Sequence, residues 1–163
     1  MHATTIFSVL AMASTAFAAP APTTQTNDAS TISARGAARP WWRITDYKRN
    51  CVGNVGAETS CTTTFAIETV LDKTPFACTV TTAGKAGDPA TRASFSGVSC
   101  GPNGKFTFSS GWSGQFGNGN GFSTIAIVDN QEKVIVYAGY SDSEIPADGS
   151  AVKPNKQVQP HNL

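Results

Sequence analysis

Ten of the eleven carboxylates, four cysteines, two histidines and one glycine-rich aromatic run hold most of the reactive potential of this chain. His2 lies near the amino terminus and His161 three residues from the carboxyl end, so no histidine is expected inside the fold. Without one, a serine or cysteine nucleophile lacks its usual base and zinc lacks its commonest ligand. Asp46, Glu58, Glu68, Asp72, Asp88, Asp129, Glu132, Asp142, Glu144 and Asp148 remain for acid–base work that needs no histidine. A glycosidase would set two of them across a cleft at a fixed separation. Most fall in turns or at strand ends, where solvated charge is the default. Glu68 alternates with Ile67, and its side chain is expected to face outward. Asp142, Glu144 and Asp148 lack the D-x-[DN]-x-[DN]-G spacing of a calcium loop and read as a solvated acidic turn. No catalytic residue, metal or cofactor is assigned.

Cys51, Cys61, Cys78 and Cys100 admit three pairings as disulfides. A zinc site would want C-x₂-C spacing or histidine partners, and neither is present. Pairing of sequence neighbours, Cys51 with Cys61 and Cys78 with Cys100, is the expectation. Each bridge should contribute roughly 2–4 kcal/mol, mainly by restricting the unfolded chain.

The run from Gly111 to Phe122, GWSGQFGNGNGF, is the most unusual stretch. A phosphate cradle needs a helix behind it, whereas Ser123 to Val128 reads as a strand, and G-K-[ST] is missing. Two readings stay open. In one, the Asn-Gly pairs supply positive-φ positions while Trp112, Phe116 and Phe122 close one end of the core. In the other, Trp112, Phe116, Asn118, Asn120 and Phe122 form an exposed contact surface for a sugar, a small molecule or a protein.

The elements that must position these residues read as β throughout. Trp41 to Tyr47 mixes aromatic and β-branched residues. Phe65, Ile67 and Leu71 share one face, Phe76, Cys78 and Val80 repeat the period of two, and Phe95 and Val98 lie in a looser run ending at Cys100. Phe106 and Phe108, Ile125 and Ile127, and Val134, Val136 and Ala138 alternate likewise. Turn residues separate the runs at 84–89, 102–104, 111–121, 129–131 and 148–149. No helical period is convincing. About seven short strands predict an all-β domain: a single antiparallel β-barrel, with a β-sandwich as the alternative.

The amino-terminal portion has another character. Ile6 to Ala13 is a short apolar run followed by Ala16-Phe17-Ala18, which predicts a signal peptide over residues 1–18 and hence a secreted, extracellular protein. Cleavage after Ala18 avoids leaving Pro20 at the new terminus. Residues 19–40, rich in Ala, Thr, Ser and Pro, read as a disordered leader or propeptide. The β domain spans 41–160, with 161–163 a tail. Of 12 basic and 11 acidic residues only Arg35, Arg39 and Asp28 precede it, so the domain is charge-balanced. That balance disfavours nucleic acid and anionic membranes as partners.

Several stretches carry a resemblance: Trp42-Arg43-Ile44-Thr45-Asp46-Tyr47, Thr59-Ser60-Cys61-Thr62 ahead of Phe65-Ala66-Ile67, Gly111 through Ile125, and Gly139-Tyr140-Ser141-Asp142 followed by Val152-Lys153-Pro154. Through them the chain resembles the small secreted cysteine-rich effector family of ascomycete fungi, of the Trichoderma root-colonisation type. Phe76-Ala77-Cys78, Ser99-Cys100-Gly101-Pro102-Asn103 and Phe106-Thr107-Phe108-Ser109 are more distantly similar to the major Alternaria allergen and fungal elicitor family. The resemblance implies a β-barrel, frequent homodimers, secretion toward a plant host and modulation of host defence; with no histidine in a disulfide-stapled β domain, the expected action is non-enzymatic recognition of an extracellular host plant protein. It also implies that Cys78 and Cys100 are a bridged pair. No cysteine follows Cys100, where the allergen family carries its second bridge, so a homodimer here would be non-covalent. No catalytic residues carry over. A carbohydrate- or small-ligand-binding module and a carboxylate-based glycoside hydrolase are the competing functions.

Overall fold

A computed structural model describes residues 40–163 apart from Lys73 and Asn118; the expected signal peptide and most of the leader lie outside the described residues. Nine strands follow one another: β1 (Trp42–Val52), β2 (Ser60–Glu68), β3 (Phe76–Ala83), β4 (Phe95–Cys100), β5 (Phe106–Ser113), β6 (Phe122–Asp129), β7 (Val134–Ser141), β8 (Lys156–Val158) and β9 (His161–Asn162). Single 3-10 turns cover Ala90–Arg92 and Pro102–Gly104. His161 and Asn162 pair with Ile135 and Val134, so ordered chain continues past residue 160.

All ladders are antiparallel, but they do not run round into one closed barrel. They divide into a four-stranded sheet, β3-β2-β1-β8, and a five-stranded sheet, β4-β5-β6-β7-β9, the sandwich-like alternative. The reason lies at the β3–β4 seam. An eleven-residue connection, 84–94, separates those strands, and they meet through Cys78 and Cys100 rather than through a backbone ladder. The other bridge joins Cys51 to Cys61, which are direct cross-strand partners in β1 and β2.

Alternation places one face of each sheet inward. Phe65 and Ile67 of β2, Phe106 and Phe108 of β5, Ile125 and Ile127 of β6, and Val134, Val136 and Tyr140 of β7 are all buried. Rings lock the two sheets together. Tyr47 stacks on Tyr140 at 3.9 Å between centroids, while Phe65 meets Phe108 edge-on at 5.1 Å and Trp42 meets Phe106 at 5.6 Å. Such pairs add about 0.5–1.5 kcal/mol each beyond the area they bury. Leu71 departs from its expected face: β2 ends at Glu68, and Leu71 lies exposed in the following turn.

β1 keeps its ring inward by a bulge. The register with β2 shifts between Thr45 and Lys48, and Asp46 adopts φ 51° there. Trp42, Ile44 and Thr45 are buried ahead of the shift and Tyr47 within it. Aspartate tolerates this left-handed backbone better than most residues.

Candidate binding surface and the placement of the carboxylates

One end of the sandwich gathers the β1–β2 turn, the 84–94 connection, the glycine-rich loop and the segment after β7. Trp112 is the hub. Its indole N–H donates to Asp142 Oδ2 at 2.9 Å, and the Asp142 Oδ1 atom lies 3.6 Å from Arg49 Nη2. Arg49 in turn donates to the Thr91 carbonyl at 3.1 Å, tying the 84–94 connection to β1. The Arg92 guanidinium lies over the indole, 4.9 Å from its centroid.

The glycines of the loop make this possible. A Cβ on Gly121 would meet Asp142 Oδ2 and come within 2.6 Å of the Trp112 ring, and one on Gly114 would collide with the ring's outer edge. Only hydrogen fits at either position. Gly117 and Gly119 have φ of 89° and 79°, matching the positive-φ expectation for this connection.

Neither Trp112, Phe116 nor Phe122 belongs to the buried core. Trp112 and Phe122 are half-buried, Trp112 at the end of the inward-facing row of β5 and Phe122 on the outward face of β6, and Phe116 is 65% exposed. Phe116 rests on Phe122 with centroids 5.7 Å apart, and Asn120 donates to the Phe116 carbonyl at 3.3 Å. The loop therefore holds one aromatic ring outward on a pinned base. Asn118 lies outside the described residues.

The carboxylates are spent one by one. Glu68 faces outward and pairs with Arg43 at 3.4 Å, Asp46 with Lys153 at 3.0 Å and Glu144 with Lys156 at 2.8 Å. Asp148 accepts the Ser150 N–H of its own turn. Two depart from the expectation of solvated charge: Glu58 and Asp129 are buried. Burial pushes the Glu58 carboxyl up, but hydrogen bonds from the Gly56 N–H, its own N–H and the Thr91 hydroxyl, with the charge of Arg49, outweigh it and hold the group below its ordinary value.

Asp129 ends β6 at the opposite end of the sandwich. Its Oδ1 accepts the N–H groups of Gln131 and Glu132 at 2.8 and 2.9 Å. Its other oxygen lies 4.0 Å from Lys105 Nζ, which donates to Asp72 Oδ2 at 2.7 Å and sits over the rings of Phe76 and Phe106. The Lys105 ammonium beside Asp72, helped by the Thr69 hydroxyl, holds the Asp72 carboxyl low. These two acids share one lysine around a pocket of about 50 Å³. Ligand pockets run to roughly 300–1,000 Å³, so this one has room for water and not for a sugar ring.

Sequence reasoning missed Arg49 and Arg92, which organise the loop end. Nothing local in Ala-Thr-Arg-Ala marks Arg92; the signal is the packing of Trp112, which is non-local.

A family model described as Effector TSP1 matches residues 43–163. The curated Effector TSP1 of Hypocrea virens is 45% identical over 159 residues, covering 98% of this chain and 96% of that relative. The chain belongs to the Effector TSP1 family. The family match begins within β1 and takes in both disulfides, the glycine-rich loop and the strands that carry them.

Proposed function

We propose that this protein is a secreted fungal effector that works outside the cell by binding and not by catalysis, recognising an extracellular protein of a plant host and altering its defence response. The observation that carries the reading is Phe116, exposed on a loop whose base is fixed by Trp112, Asp142, Arg49 and two close-packed glycines. A rigid outward aromatic is the kind of anchor that concentrates binding energy at interfaces. Membership of the Effector TSP1 family supports the effector role and the extracellular setting. The carboxylates support binding over hydrolysis, since Glu58, Asp72, Glu144 and Asp148 are all held low, whereas a general acid is tuned upward. A homodimer of this chain would be non-covalent, because all four cysteines are used within the chain.

Purified protein and its Phe116→Ala variant, matched in melting temperature, test this reading in pull-downs from plant apoplastic fluid and in host-response assays. The native protein should capture a defined partner and change the response, and the variant should lose both. Capture of nothing with an unchanged response would sink it.

A further inference from the structure

The 84–94 connection has an open groove on each side. One, of about 550 Å³, separates it from the β1–β2 turn; the other, of about 470 Å³, runs beside β3 toward Phe95. Lys85 and Arg92 line both. Each is exposed, and among the described residues neither has an ion-pair partner. Arg92 is held in place. The preceding Ala90 is buried and donates its N–H to the Glu58 carbonyl at 2.9 Å, Arg49 grips the Thr91 carbonyl, and the guanidinium lies on Trp112. Stacking uses the flat face of a guanidinium and leaves its in-plane N–H donors to a ligand.

The acids nearby are few. Glu58 borders the first groove, but one oxygen accepts the Gly56 N–H and the other the Thr91 hydroxyl. Asp88 borders both grooves on the chain segment that bridges back to Lys85. Two cations face one uncommitted carboxylate. The rest of the second groove mixes the hydroxyls of Thr81, Thr82 and Ser94 with the apolar surface of Ala83, Ala93 and Phe95. Its volume falls in the range of ligand sites and exceeds what a lone carboxylate fills. A planar, pre-stacked arginine matches a carboxylate in two parallel hydrogen bonds, and a trough of mixed hydroxyl and apolar lining suits the rest of a sugar. Two cations are too few for a polyanion held by charge alone.

We propose that the groove along residues 81–94 binds a saccharide bearing carboxylates, a uronic-acid glycan, with Arg92 gripping one carboxylate and Lys85 a second. This site meets the Phe116 loop only through the Arg92–Trp112 stack, and Lys85→Ala leaves that stack intact, so either site can fail alone.

Calorimetric titration of the folded protein tests it with three probes: an oligogalacturonate, the same oligomer fully methyl-esterified, and dextran sulfate. Saturable binding of the oligogalacturonate alone is expected. Arg92→Ala should weaken it at least tenfold and Arg92→Lys less, since lysine restores the charge but not the fork; Lys85→Ala should weaken it several-fold. The melting temperature should be unchanged in Lys85→Ala and should fall by no more than about a few degrees in the Arg92 variants, which alter the stack on Trp112. Equal binding of the ester, equal binding of dextran sulfate, indifference to Arg92→Ala, or no saturable binding would each overturn the proposal.

Discussion

Removing the two disulfides in turn should cost unequal amounts, and the structure fixes the order. Cys51 and Cys61 are 10 residues apart, Cys78 and Cys100 22. Loop-closure entropy then gives about 2.7 kcal/mol for the first bridge and about 3.4 kcal/mol for the second. Burial widens the gap. Cys78 and Cys100 are both buried, whereas in the other pair Cys61 is buried and Cys51 is exposed, on a hairpin already zipped by backbone bonds. Truncating the core pair to alanine adds a cavity cost of about 1 kcal/mol. The Cys78–Cys100 bridge also joins β3 to β4 across the two sheets, where no ladder holds them. We therefore expect Cys78→Ala/Cys100→Ala to lose about 4–5 kcal/mol and Cys51→Ala/Cys61→Ala about 3 kcal/mol. Urea unfolding followed by tryptophan fluorescence measures both. A hairpin double variant as damaged as the core double variant would refute the reasoning.

Asp129→Ala should destabilise by about 2–4 kcal/mol, because it strands two backbone N–H groups and removes one of the two acids around Lys105. Asp129→Asn keeps an acceptor for both N–H groups and should lose less than half as much in the same urea assay. Gly121→Ala should expel Trp112 from its seat, visible as a shifted tryptophan emission maximum with the far-ultraviolet dichroism of the sheets retained. Asp72, Glu58 and Glu144 have folded-state pKa values below their unfolded ones, so the stability they contribute is present above the ordinary carboxylate range of about 4–4.5 and is lost as pH falls through the depressed values. Unfolding midpoints should drop from pH 5 to pH 3, and less steeply in Glu58→Gln than in the native protein; a drop of the same slope would contradict the role given to Glu58.

Much of the fold is legible in the sequence because period-two alternation is a local signal. Phe106 and Phe108, Ile125 and Ile127, and Val134, Val136 and Ala138 declare their inward faces without reference to any other strand. The division into two sheets is not local, since the same alternation suits a barrel, and the seam at β3–β4 depends on where strands from distant segments come to lie. The bulge at Asp46 hides for a related reason: Trp42, Ile44 and Tyr47 look like a single broken alternation until the register with β2 is known. Glu58 and Asp129 mislead because a turn residue is normally wet. Here each carboxylate turns back to accept the N–H groups of its own turn, which offsets the cost of burial. At the loop end, GWSGQFGNGNGF marks the place, but Arg49, Arg92 and Asp142 converge on Trp112 from three other segments.

The contact role of the glycine-rich loop is tested most directly by placing a photo-crosslinking phenylalanine analogue at position 116, and at exposed Val70 on the opposite end, then irradiating each protein in plant apoplastic fluid. The account predicts a discrete covalent adduct with a host protein from position 116 and none from position 70. Adducts of equal yield and identity from both positions, or none from position 116, would contradict it.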